Sequence, residues 1–159
     1  MNRITSLLAL SAIVVAGAFA GTAAQASAAN VNVQFKLHNA DPSANMIRSG
    51  ALPSTISGLI NPAASIAPGS DDPASGFALF SAPIPGVNNS VSASLTYVNA
   101  NDGFSNGCTF TITVTRNGVA SYNLSFSVVN GSSHCTVPGS VNNTNGQFTN
   151  TTYLLDWAT

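Results

Sequence analysis

The chain has 159 residues and a formal net charge of −1, and only 6% of its residues are charged against 45% that are hydrophobic. A phosphate-binding nucleic-acid protein needs a basic patch, and a coiled coil needs charged flanking positions; this composition excludes both. Charge-driven disorder is also excluded, because the charge is too low and the apolar content too high.

Residues 1–29 read as a secretory leader. Arg3 supplies the positive start, Leu7 to Ala20 is an uncharged apolar run, and small-x-small sites follow at Ala18/Ala20, Ala24/Ala26 and Ala26/Ala28. The run is shorter than the roughly 20 residues that span a bilayer, so cleavage near Ala28 is expected instead of anchoring. The Ala-rich, Ala-x-Ala style is bacterial. No later apolar stretch approaches spanning length, so no transmembrane segment is expected in the mature chain. Residues 30–159 are then one domain in the extracellular space, at the cell surface or in the periplasm.

Both cysteines, Cys108 and Cys135, fall in that mature part. An oxidising destination and an even count predict one disulfide. Closing its loop removes roughly 3 to 3.5 kcal/mol of chain entropy from the unfolded state. A zinc site lacks ligands: His134 adjoins Cys135, and the only other histidine is His38.

The mature chain opens with strict alternation. Val31, Val33, Phe35 and Leu37 share one side, and Asn32, Gln34, Lys36 and His38 the other, which is the pattern of a half-buried strand. Residues 40 to 90 hold seven of the eight prolines. Short strands are predicted at Asn45–Arg48, Thr55–Ile60 and Phe77–Ser81, with Ala67–Pro73 as a turn or exposed loop. Ile56, Leu59, Ile60, Ile66, Phe77, Leu79 and Phe80 are too apolar for a linker, so one domain is predicted.

Alternation returns from Val91 to Val98, from Cys108 to Thr115 and from Ala120 to Val128. Asn117-Gly118 lies between the last two, a strong hairpin signal. A two-residue Asn-Gly loop would close Arg116 on Val119 and place Ile112 beside Asn123, mixing apolar and polar residues on one face. A three-residue loop, Arg116-Asn117-Gly118, avoids this. It pairs Ile112 with Tyr122, Phe110 with Leu124 and Cys108 with Phe126, and puts Gly118 at the left-handed position of a bulge. A last strand is predicted around Thr151–Leu155 within Gln147–Trp157; Tyr153, Leu155 and Trp157 share a face, so core packing is expected for them over an interfacial patch. Short strands, turns rich in Gly, Pro and Asn, and no helical period after the leader predict an all-β antiparallel sandwich, with a barrel as the alternative.

From Asn30 onward there are 17 Asn, 18 Ser and 12 Thr. The strand surfaces are therefore neutral, rich in hydrogen-bonding groups and insensitive to salt. Catalytic constellations are thin. There is no Gly-x-Ser-x-Gly elbow for a serine hydrolase, and five Asp without a single Glu give little for a glycosidase carboxylate pair. Asp71, Asp72, Asn101 and Asp102 resemble fragments of calcium loops without the downstream bidentate Glu, and turn formation explains them equally well. Five Asn-x-Ser/Thr sequons, at Asn88, Asn123, Asn130, Asn142 and Asn150, are what this composition gives by chance.

An opening strand ending in Leu37-His38-Asn39, a Gly-bearing stretch around Gly50, the turn Ile66-Ala67-Pro68-Gly69, the Phe77–Phe80 strand and the alternating strand with Tyr97 together resemble the aegerolysin-like small β-sandwich proteins. The resemblance covers residues 31 to 98 and implies recognition of membrane lipid, in some members with a pore-forming partner; the half bearing Cys108 and Cys135 lies outside it. Fimbrial subunits share export, fold class and one disulfide, but their cysteine pair lies nearer the N-terminus.

The expectation is a secreted, non-catalytic protein without cofactors. Its neutral Thr/Asn/Ser face would recognise a glycan, a lipid headgroup or a partner protein. The alternatives are a self-assembling subunit of an extracellular filament or surface layer, with Val31–Leu37 or Tyr153–Leu155 as the shared sheet edge, and a small secreted hydrolase.

Overall fold

The computed structural model describes residues 27–57, 61–101, 106–129 and 134–157. Most of the leader read at 1–29, as well as Asp102, lies outside them. The described chain forms twelve strands: β1 (Ala29–Asn39), β2 (Met46–Ser49), β3 (Ile56–Ser57), β4 (Ser65–Ile66), β5 (Ser70–Asp72), β6 (Ala78–Ile84), β7 (Asn89–Asn99), β8 (Gly107–Gly118), β9 (Ser121–Val129), β10 (Cys135–Thr136), β11 (Val141–Asn143) and β12 (Gln147–Trp157). Among the described residues there is no helix.

The strands build two packed sheets, the sandwich that the alternation predicts, and no barrel closes. The first runs β10-β12-β1-β6-β3, with β5 also pairing β1; the second runs β11-β9-β8-β7-β2-β4. Period-2 alternation places Val31, Val33, Phe35 and Leu37 of β1 inward, fully buried, with Phe80 and Ile84 of β6 and Leu155 and Trp157 of β12. Leu95 and Tyr97 of β7, Phe110, Ile112 and Val114 of β8 and Leu124 of β9 face them from the second sheet. The two inner faces share one core.

Cys108 of β8 and Cys135 of β10 are bonded, with Cα atoms 6.0 Å apart. The predicted disulfide therefore staples one sheet to the other. Cys108 is fully buried, which leaves its sulfur no route to a metal or a partner.

Three readings change. Strand β1 is the middle of its sheet, with β12 parallel to it on one side and β6 and β5 antiparallel on the other, so Val31–Leu37 offers no edge. Ser70–Asp72 is not loop: it pairs with Leu37–Asn39, because Asn39 is buried there and anchors the neighbouring chain through its amide. The short strands β4, β10 and β11 carry no alternation long enough to read.

The third correction is the hairpin. Ile112 pairs with Phe126, Val114 with Leu124 and Arg116 with Tyr122, and the loop is Val119-Ala120 between Gly118 and Ser121. Neither Arg116-Val119 closure nor the three-residue loop occurs, and Gly118 is not left-handed. The reason is Arg116, which is buried on the core face. Its guanidinium donates to the carbonyls of Ser27, Gly118 and Val119 and lies 5.6 Å from the Tyr122 ring centre. Arg116 thus extends the strand, and the irregularity falls at Asn117.

Candidate functional site

The strand β12 departs from regular pairing where it passes β1. Val33 pairs with Phe148 and Phe35 with Tyr153, so two steps along β1 correspond to five along β12. Thr149 to Thr152, four residues, thus stand opposite Gln34 alone, a bulge in the ladder of the kind that re-aims side chains. Beside it runs β11, at the edge of the second sheet. Between the two opens a cleft of about 230 Å³ lined by Val141, Asn142, Asn143, Gln147, Phe148, Asn150, Thr151 and Tyr153.

The turn from β11 to β12 holds this cleft in shape. Asn143 Oδ1 accepts from Gly146 N at 2.8 Å, Asn143 Nδ2 donates to the Gln147 carbonyl at 3.0 Å, and Asn145 Oδ1 accepts from Gln147 N at 2.9 Å. Gly146 sits at φ +73°, where a Cβ would come within 2.8 Å of Val31 Cγ1; only glycine fits the turn against β1. Asn32 N donates to the Gly146 carbonyl at 3.0 Å. Gln147 is fixed at both ends of its amide: Oε1 accepts from Asn32 Nδ2 at 2.7 Å and Nε2 donates to the Asn30 carbonyl at 2.9 Å.

The apolar side of the cleft is aromatic. Phe148 is buried, and Tyr153 is half-buried, its ring 5.2 Å from that of Phe126 at 42°. Burial pushes the Tyr153 phenol above its ordinary pKa, so it is neutral at physiological pH. Among the described residues, Asn150 and Thr151 commit no side-chain hydrogen bond to the protein. The lining contains no charged group. An aromatic ring with converging amides and hydroxyls can stack on an apolar surface of a ligand while hydrogen-bonding its rim.

Asn142 belongs to two surfaces. It lines the cleft, and its Oδ1 accepts from Asn123 Nδ2 at 2.9 Å. Asn123 lies on the outer face of the second sheet, which is a lattice of uncharged side chains. The register aligns Ser90 with Thr115 and Asn123, Ser92 with Thr113 and Ser125, Ser94 with Thr111 and Ser127, and Thr96 with Thr109 and Val129. Every position but Asn123 and Val129 carries a hydroxyl. Two cross-strand pairs bond directly, Ser94 to Thr111 at 2.8 Å and Thr96 to Thr109 at 2.9 Å.

The charged residues lie elsewhere. Asp71 is on the outer face of the first sheet, its Oδ1 2.8 Å from His38 Nδ1 and its Oδ2 3.6 Å from Lys36 Nζ. Asp72, next along β5, accepts from Ala63 N at 2.7 Å, and burial raises its pKa. Asn101 N donates to Asn99 Oδ1 at 2.7 Å and its Nδ2 to the Ser43 carbonyl at 3.2 Å. The two aspartates thus face opposite sides of one strand, and Asn101 closes a turn on different partners. Among the described residues, no group of three or more His, Cys, Asp or Glu is placed to hold a metal ion. Leu155 and Trp157 are buried, as the shared face predicts, while Tyr153 reaches the cleft.

Sequence reasoning missed the cleft because β11 and the bulge leave no periodic signal. The cluster Asn142-Asn143-Thr144-Asn145-Gly146-Gln147 was its only trace, and turn chemistry accounts for such a cluster just as well. No family model matches the chain, and no curated protein or solved structure matches it.

Proposed function

We propose that this is a secreted, non-catalytic protein that binds a neutral glycan in the cleft between β11 and β12. The observation that carries the reading is the lining itself: Tyr153 with Asn142, Asn143, Gln147, Asn150 and Thr151, and no charge. A sugar presents apolar C–H faces and a rim of hydroxyls, so a ring and converging amides complement it without counter-ions. The bonds that fix Asn143 and Gln147 lower the ordering cost of binding. The leader-like start and the inter-sheet disulfide support an oxidising, extracytoplasmic destination. Among the described residues no helix is long and apolar enough to cross a membrane.

The test is binding of the purified protein to an array of neutral glycans and, in parallel, to liposomes of zwitterionic and anionic lipid. Retention on glycans, weakened at least tenfold by Tyr153→Ala with an unchanged circular dichroism spectrum, supports the reading. Binding to liposomes alone would replace it with the lipid recognition that the aegerolysin resemblance implies.

A further inference from the structure

The cleft is small. Pockets that enclose a drug-sized ligand run to ~300–1,000 Å³, and this one is about 230 Å³. It holds one end or one unit of a ligand, and the remainder must lie on adjoining surface. Asn142 joins the cleft to the outer face of the second sheet, where it pairs with Asn123 and is hydrogen-bonded to it.

We infer that the ligand is an extended neutral polysaccharide whose chain leaves the cleft and crosses the second sheet along Asn142, Asn123, Thr115 and Ser90. This rests on the glycan reading of the cleft. The four residues are consecutive partners on β11, β9, β8 and β7. Three inter-strand steps of ~4.8 Å give a track about 14 Å long, enough for several sugar units. The next rows, Ser125-Thr113-Ser92 and Ser127-Thr111-Ser94, keep the surface hydroxylated. No charged side chain interrupts these rows. An anionic or cationic chain would desolvate its charges there without a counter-charge, whereas a neutral polyol exchanges one set of hydroxyl hydrogen bonds for another.

The experiment compares affinities along neutral homo-oligosaccharides of glucose, mannose, galactose and N-acetylglucosamine, from one to eight units, by titration calorimetry. The intact protein should bind hexamers at least tenfold tighter than dimers. Thr115→Lys places a long charged chain on the track, and Thr115→Val removes only the hydroxyl and keeps β-branching. Both should reduce the gain with length, Thr115→Lys more, and leave dimer affinity unchanged. Tyr153→Ala should weaken all lengths together. Equal affinity for dimers and hexamers, or a gain that survives Thr115→Lys, overturns the track while the cleft reading stands. Binding at no length overturns both. Self-association of the intact protein in sedimentation that Thr115→Lys abolishes would assign the face to a second copy and overturn the track.

Discussion

Cys108 and Cys135 bond across the sandwich, from the buried middle of one sheet to the short edge strand of the other. Cys135 in turn pairs with Trp157, near the end of β12. The bond therefore ties the last strand of the first sheet to the hairpin of the second. Replacing both cysteines by alanine should cost about 3 kcal/mol, read as a fall of about 10 °C in the midpoint of thermal unfolding. Reduction of the intact protein should give a similar fall, and an unchanged midpoint would place the stability in the core alone.

Among the described residues, Arg116 is a buried cation without a carboxylate partner. In the mature chain the Gly118 and Val119 carbonyls and the Tyr122 ring take its place. Arg116→Met should destabilise the fold by about 1–3 kcal/mol, since the hydrogen bonds go while the aliphatic stem remains. Because the partners are dipoles, the loss should be nearly the same in low and high salt. Urea denaturation at two ionic strengths measures both.

Asp41 is buried, and its carboxylate accepts from Ser43 N at 2.8 Å, Ala44 N at 3.0 Å, Ser43 Oγ at 3.1 Å and Asn99 Nδ2 at 3.2 Å. The backbone N–H of Ser43 does most to hold its pKa below the usual 3.8, against the opposing effect of burial. A depressed pKa contributes stability above the unfolded value that is lost as pH falls through the folded one. Asp41→Asn should thus cost about 1–2 kcal/mol at pH 7, with the gap to the parent closing below pH 3.8. Asp72 has the opposite sign, because burial raises its pKa: its ionised form weakens the fold as pH rises through that value. Denaturation midpoints of Asp41→Asn and Asp72→Asn across acid pH should diverge in opposite directions from the parent.

Gly146→Ala adds a methyl 2.8 Å from Val31 Cγ1 and forces an L-residue to φ +73°. A destabilisation of about 2–4 kcal/mol is expected from strain and overpacking together. Gly50→Ala, at φ +92° with nothing within 4 Å, isolates the strain and should cost only about 1–2 kcal/mol. If the two variants unfold at the same midpoint, the contact with Val31 is not what fixes the β11–β12 turn.

Much of the fold is legible in the chain because burial on one side of a strand imposes period two on the side chains. Val31 to Leu37, Val91 to Tyr97 and Cys108 to Val114 show their inward faces by this means, and the cysteine count with the leader-like start predicts the disulfide. Parity is all that alternation gives, however. The pairing of Ile112 with Tyr122 that the sequence suggests and the observed pairing with Phe126 differ by four residues and bury the same faces. The choice between them came from Arg116, whose guanidinium is held by the Gly118 and Val119 carbonyls and lies over the Tyr122 ring of the facing strand. Only packing, likewise, put β1 between β6 and a parallel β12, since neighbours across a sheet leave no mark in a strand's own pattern. The cleft depends on both strand order and the Thr149–Thr152 bulge. Local residues determined which side chains face inward; the tertiary contacts of a few side chains decided which strands meet and what the surface between them can hold.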